Sequence, residues 1–210
     1  VARVLHLDFF FFFFTPDLLP SDLVGTMIYN QKDGTFEVKK GPIFANIVLA
    51  DEINRSPAKV QSALLEAMQE KQVTIGETTF KLDKPFLVMA TQNPIEQEGT
   101  YPLPEAQLDR FMFNVWLDYP SYTEEMQVVK QTTTTSTAKV NKVLSAEEIV
   151  YFQELVRKVP VADNVIEYAV KLVNKTRLKS EFSSEVSKKY LAWGAGPRAS
   201  QYLVLGAKCH

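Results

Sequence analysis

Ile47 to Ala50 form a compact apolar run, IVLA, that ends directly in Asp51 and Glu52. Continuous apolar residues with polar groups at the carboxyl end are the pattern of a buried parallel strand. An aspartate in that place can hold the water shell of a magnesium ion bound to a nucleotide, and the glutamate beside it can polarise an attacking water. The same pair also suits a strand end engaged in caps and surface ion pairs. A second apolar run, Phe86 to Ala90 (FLVMA), ends in Thr91, Gln92 and Asn93. Ligand sites of open α/β sheets lie along that edge. A neutral amide such as Asn93 can hydrogen-bond a phosphate or an attacking water without adding charge, and it equally fits a polar turn ahead of Pro94.

Two arginines occupy places where they could meet phosphate. Arg110, in LPEAQLDRF, comes just before Phe111 to Leu117 (FMFNVWL), an apolar run expected to be a further buried strand. An arginine there can neutralise transition-state charge on a neighbouring subunit's phosphate, an effect worth orders of magnitude in rate. The alternative is a weak surface salt bridge with Asp109 or Glu105. Arg198, in GAGPRAS, lies in the first turn of a helix opened by Pro197. A helix dipole disfavours a cation there unless an anion faces it. A bound phosphate would serve, and plain solvent exposure is the other reading. Other chemistries find little support. His6 and His210 are isolated near the termini, so neither a zinc set nor a Ser/His/Asp triad can be composed. Gly194-Ala195-Gly196 is followed by no Lys-Ser or Lys-Thr, and Gly-x4-Gly-Lys-Ser/Thr occurs nowhere in the 210 residues.

The elements that must position these residues follow from periodicity and punctuation. Val4 to Phe9 reads as a short strand. Met27 to Lys40 reads as a hairpin turning at Gln31-Lys32-Asp33-Gly34. Ser56 suits a helix cap and Pro57 a first helical position. Val60, Leu64, Ala67 and Met68 then recur at helical spacing as far as Glu70. Val73 to Ile75 and Thr79 to Leu82 form a second hairpin around Gly76-Glu77. Beyond Pro120 the character changes to helices over 121–130, 146–158, 163–176, 185–193 and 197–208, with Thr132 to Thr137 (TTTTST) as a solvated linker. An α/β part over 1–120 therefore precedes an all-helical part over 121–210. Phe9 to Phe14 are six consecutive phenylalanines, too few to span a bilayer and without the flanks of a signal peptide. Such a run cannot alternate between inside and outside, and a doubly buried parallel strand would tolerate it best.

Composition bounds the rest. A hydrophobic share of 46% and a charged share of 23% are those of a globular protein with a true core. A net charge of -2 argues against a nucleic-acid surface. The single cysteine, Cys209, excludes a disulfide framework within the chain and suits a reducing cytoplasm.

The order of these signals is more specific than any one of them. A strand with Asp-Glu, a strand with Asn, an Arg before a strand and a Pro-Arg helix start resemble the AAA+ plan. The wording of GPIFANIVLADEINRSPAKVQSALLEAMQEKQVTIG and FLVMATQNPIEQEGTYPLPEAQLDRFMF, with TPDLLPSDLVGT upstream, resembles the MoxR family of AAA+ ATPases. The resemblance is close over 15–120 and looser over 121–210, where GAGPRAS is the matching landmark. It implies an AAA+ P-loop NTPase core with a parallel sheet, incomplete at the N-terminus, followed by a small helical lid that stops early. It assigns Asp51 as the Walker B partner of Mg2+, Glu52 as the catalytic carboxylate, Asn93 as sensor 1, Arg110 as arginine finger and Arg198 as sensor 2. The hairpins at 27–40 and 72–82 would be the helix-2 insert and the pre-sensor hairpin. ATP and Mg2+ are the implied cofactors. The implied partners are a homo-oligomeric ring, usually a hexamer, a von Willebrand factor A-type protein and a protein client whose remodelling or metal-cofactor maturation ATP hydrolysis drives. The rival expectations are an AAA+ relic that assembles without hydrolysis and, against the charge balance, a nucleic-acid motor. The sequence departs from the family in its Phe run and in lacking the Walker A loop, so this stretch alone is expected to bind nucleotide poorly.

Overall fold

A computed structural model describes residues 2–93, 99–134 and 140–210. Helix α1 (Ala2–Leu5) leads to β1 (Phe9–Phe13), α2 (Pro20–Val24) and an antiparallel hairpin, β2 (Gly25–Asn30) with β3 (Thr35–Lys40). Strand β4 (Ile47–Asp51) follows, then a 3-10 turn over Ile53–Arg55 and α3 (Ala58–Glu70). A second hairpin, β5 (Gln72–Ile75) with β6 (Thr78–Lys81), precedes β7 (Leu87–Ala90) and the single-turn α4 (Glu105–Leu108). The remainder is helical: α5 (Tyr122–Thr132), α6 (Ala146–Lys158), α7 (Asp163–Lys175), α8 (Glu185–Tyr190) and α9 (Pro197–Cys209).

The central sheet has the order β1-β4-β7 and is wholly parallel. β4 is its middle strand, and Val48 and Ala50, on the face that α3 covers, are completely buried, while Leu49 on the other face is half-buried. Val60, Leu64 and Ala67 line one stripe of α3 and are also completely buried. They pack in one cluster with Phe14, Leu23, Ile43 and Ile53. Full burial of each large aliphatic side chain contributes about 1.5–3 kcal/mol. This cluster holds the carboxyl end of β4 against the start of α3.

The β5–β6 hairpin joins that core through Val73, the β2–β3 hairpin is exposed, and the two touch each other. Met27 of β2 lies on Gly76 at the β5–β6 turn, where a Cβ would overlap the methionine sulfur. Gly76 has φ +61, so glycine meets both the turn conformation and the close approach.

In the helical part, Ser121 and Ser145 cap α5 and α6 in reciprocal boxes with Glu124 and Glu148. Hydrogen bonds from Ser121 hold the Glu124 carboxyl below its ordinary range. α9 packs on α7 and α6. The expected linker begins later than the sequence suggests, because α5 runs through Thr132, and its residues 135–137 lie outside the described residues.

Three expectations about strands fail. Val4 to Phe9 is not a strand: Ala2–Leu5 are helical and the strand starts at Phe9. Its position is set by pairing with β4, Phe9 opposite Ile47 through Phe13 opposite Asp51. The Phe run is not doubly buried either. β1 is an edge strand, Phe11 stays 51% exposed, and only Phe14 beyond it is sealed in the core. Phe111 to Leu117 forms no strand; Phe113 is 74% exposed and Trp116 84%. Apolar patterning reports a preference for burial, but a strand also needs a neighbour for its backbone groups, and these residues have none among the described residues.

Candidate active site

Parallel register brings the ends of β4 and β7 side by side, with Ala50 opposite Ala90. The next residues, Asp51 and Thr91, are therefore neighbours although 40 positions separate them. The Thr91 hydroxyl donates to Asp51 Oδ1 at 2.6 Å and accepts the Glu52 N–H at 2.9 Å. Its backbone is held as well: Thr91 N–H donates to the Ala50 carbonyl at 2.9 Å, and Ile53 N–H donates to the Thr91 carbonyl at 3.0 Å.

Glu52 adopts a left-handed backbone, φ 54 and ψ 48. For a residue with a Cβ this costs on the order of 1–3 kcal/mol and persists only where surrounding structure imposes it. Here it lets the chain leave β4 and enter the 3-10 turn at once. Arg55 Nε lies 3.0 Å from Glu52 Oε2. The contact is an ion pair without hydrogen-bond alignment, since Oε2 is buried with no hydrogen-bond partner among the described residues.

The loop behind these carboxylates is tied by buried amides. Gln61 donates from Nε2 to the carbonyls of Ile53, Ser56 and Tyr101 at 3.1, 3.1 and 2.8 Å. Asn54 Nδ2 donates to the Asn93 carbonyl at 3.2 Å, which places sensor candidate Asn93 beside the turn that carries Glu52. Ser56 does not cap α3 as its type suggests. Its hydroxyl donates to the Ile53 carbonyl at 3.2 Å, and Pro57 takes the N-cap position.

Arg110 and Arg198 belong to a second cluster. Arg198 Nη1 reaches Asp109 Oδ2 at 3.4 Å, and its Nη2 reaches Gln69 Oε1 on α3 at 3.2 Å. The anion that suits the start of α9 is thus Asp109, whose two carboxylate oxygens lie 3.0 Å from where a Cβ on Gly196 would stand. Arg110 does not precede a strand, and Asp109 beside it turns to Arg198. The Arg110 carbonyl accepts from the Tyr202 hydroxyl at 3.1 Å, while Arg110 Nε is buried without a hydrogen-bond partner among the described residues. One face of α9, Arg198 and Tyr202 one turn apart, therefore grips the two consecutive residues Asp109 and Arg110.

Sequence reasoning pointed to Asp51, Glu52, Asn93, Arg110 and Arg198. It named Thr91 only as one of three polar residues at a strand end, and it passed over the amide of Gln61 and the hydroxyl of Tyr202. Only the first left a signal: a hydroxyl at the end of a strand parallel to one ending in Asp.

Asp51 offers the hard carboxylate oxygen that Mg2+ prefers. Among the described residues, no group of three His, Cys, Asp or Glu side chains could hold a metal ion by itself. The donor set therefore fits a magnesium held mainly by phosphate and water, with one protein carboxylate, rather than a closed protein cage. No helix among the described residues is long and apolar enough to cross a membrane.

Comparison with known proteins agrees with this layout. Residues 1–113 match the family described as ATPase family associated with various cellular activities (AAA). Chaperone MoxR1 of Mycobacterium tuberculosis is 46% identical over 207 residues, 99% of this chain and 55% of that protein. An uncharacterised protein of Bacillus subtilis, YeaC, is 46% identical over 211 residues, 100% of this chain and 63% of its own length. A crystal structure of a candidate ATPase from Cytophaga hutchinsonii superposes with a TM-score of 0.88 at 53% identity, covering 99% of this chain and 63% of that one. The chain thus spans less than two thirds of the length of these relatives. With a parallel sheet ending in Asp51-Glu52, a helical part behind it and these matches, the chain belongs to the MoxR family of AAA+ ATPases.

Proposed function

We propose that the protein of which these residues are part hydrolyses ATP with Mg2+ and uses the cycle to remodel partner proteins, including maturation of metal-cofactor clients. The observation that carries the reading is the hydrogen-bonded juxtaposition of Asp51, Glu52 and Thr91 at the carboxyl edge of a parallel sheet. A relative named as a chaperone supports the remodelling part.

In this reading Asp51 orients the hydration shell of the magnesium. Glu52, its carboxylate ion-paired with Arg55, serves as the base that draws off the proton of the attacking water. Asn93 presents a neutral amide beside it. Arg198 leaves Asp109 to meet phosphate, and Arg110 serves the neighbouring subunit. When bound, the nucleotide-held magnesium neutralises charge developing on the phosphoryl oxygens. The assembly is a homo-oligomeric ring, a hexamer, working in the cytoplasm with a von Willebrand factor A-type partner. The phosphate cradle is supplied by residues outside this stretch.

The test is steady-state ATP hydrolysis by the full-length protein against Glu52→Gln. Turnover in wild type, with Glu52→Gln binding ATP but not hydrolysing it, supports the motor. Neither binding nor turnover in wild type replaces it with a non-hydrolysing module that assembles and docks partners.

A further inference from the structure

Resting on that reading, we infer that Thr91 is a positioning residue that sets the two catalytic carboxylates relative to each other. Its hydroxyl stands between them, joined to the side chain of Asp51 on one side and to the backbone of Glu52 on the other.

The geometry makes the role specific. A hydroxyl has one proton and two lone pairs. The proton is committed to Asp51 Oδ1 over 2.6 Å, the short separation of a charge-assisted bond to an ionised carboxylate. That bond occupies one side of Oδ1 and sets the rotation of the carboxylate about its Cβ–Cγ bond, leaving Oδ2 free of Thr91. One lone pair is committed to the Glu52 N–H at the place where the chain leaves β4 with positive φ. That N–H has left the ladder, so the hydroxyl substitutes for a strand partner and holds the left-handed turn from which the Glu52 side chain departs.

The hydroxyl is itself fixed. Thr91 is bound through both backbone groups to Ala50 and Ile53, the residues that flank the pair. Four hydrogen bonds therefore converge on one residue from the segment 50–53. The Asp51 carboxylate cannot rotate, nor the Glu52 backbone shift, without breaking one of them. Partners of this kind orient metal-binding groups in other sites, and their loss typically costs roughly 10- to 100-fold in affinity or activity.

The test uses full-length protein in three forms: wild type, Thr91→Ser and Thr91→Val. Valine keeps the branched shape and removes both donor and acceptor. Two readouts are taken. In nucleotide-free protein, residue-resolved amide hydrogen exchange should show the Glu52 amide exchanging at least about 10-fold faster in Thr91→Val, with Thr91→Ser close to wild type. In a Mg2+ titration of fluorescent ADP binding, Thr91→Val should retain the magnesium-free affinity but lose most of the increment that Mg2+ adds, with kcat for ATP reduced roughly 10- to 100-fold. Equal Glu52 exchange and an unchanged Mg2+ increment in a cooperatively folded Thr91→Val would overturn the inference. Absence of ATP turnover in wild type would sink the motor reading instead, while the exchange arm still decides whether Thr91 clamps Glu52. Should Thr91→Val fail to fold, Thr91→Cys, with a weak sulfur donor in the same volume, is read by the same two measurements and the same outcomes.

Discussion

Arg198 at the start of α9 points its guanidinium at Asp109, Nη1 to Oδ2 at 3.4 Å, and this pair joins the helical part to the segment that carries Arg110. A phosphate and Asp109 would compete for the same cation. Partly exposed pairs of this kind contribute about 0–1 kcal/mol. Asp109→Asn should therefore tighten nucleotide binding by full-length protein about two- to fivefold, and Arg198→Ala should weaken it. Fluorescent nucleotide titration reads both. Weaker binding by Asp109→Asn would mean that the carboxylate presents Arg198 to the ligand rather than withholding it.

Gly196→Ala places a Cβ about 3.0 Å from both Asp109 carboxylate oxygens. The carboxylate is a movable group, so the expected loss is about 0.5–1 kcal/mol, in the range of modest single substitutions. In the Asp109→Ala background the same change should cost almost nothing. Chemical denaturation of the four proteins of this cycle measures the coupling, and additive effects would contradict the contact.

Tyr202→Phe removes only the hydroxyl that donates to the Arg110 carbonyl. A single neutral hydrogen bond contributes about 0.5–1.5 kcal/mol, so the fold should survive. If Arg110 serves a neighbouring subunit, the substitution should lower kcat in the assembled state and leave nucleotide affinity unchanged. An equal fall in affinity would assign Tyr202 to the subunit's own site.

Gln61→Met keeps the volume of a buried side chain but takes the amide donor from the carbonyls of Ser56 and Tyr101, and leaves the Ile53 carbonyl to Ser56 alone. Unsatisfied buried groups cost about 1–3 kcal/mol. The melting temperature should fall, and ATP turnover should fall more than stability alone explains, because Ile53 adjoins Glu52. Unchanged thermal and kinetic behaviour would show that water replaces the amide.

Leu64→Ala opens a cavity in the cluster under β4, with an expected loss of about 2–5 kcal/mol. A denaturant midpoint shift of that size at unchanged slope checks it.

These sites differ in how far they could be read before folding. The strand that ends at Asp51 was legible because a short continuous apolar run bounded by acids is the pattern of a buried parallel strand. The α3 stripe and both hairpins were legible because their periods and turn residues are local. The strand misplaced onto Val4 to Phe9, and the strand expected at Phe111 to Leu117, failed for one reason: pairing is a property of neighbours, and composition cannot say which neighbour is present. The cap expected of Ser56 failed because a buried hydroxyl found a nearer acceptor in Ile53. The Asp109–Arg198 pair spans 89 positions and left no trace in either local segment; the helix dipole offered a facing anion only as one of two readings.

The seat of Met27 on Gly76 has a mechanical consequence. The two hairpins share one bearing, so a load applied at the β2–β3 tip cannot flex that ribbon alone. It is passed to β5, which contacts α3, a rod of 13 residues and roughly 20 Å. The far end of that rod abuts the turn that bears Glu52. A tug on the outermost ribbon thus arrives, by way of β5 and α3, at the turn that carries Glu52.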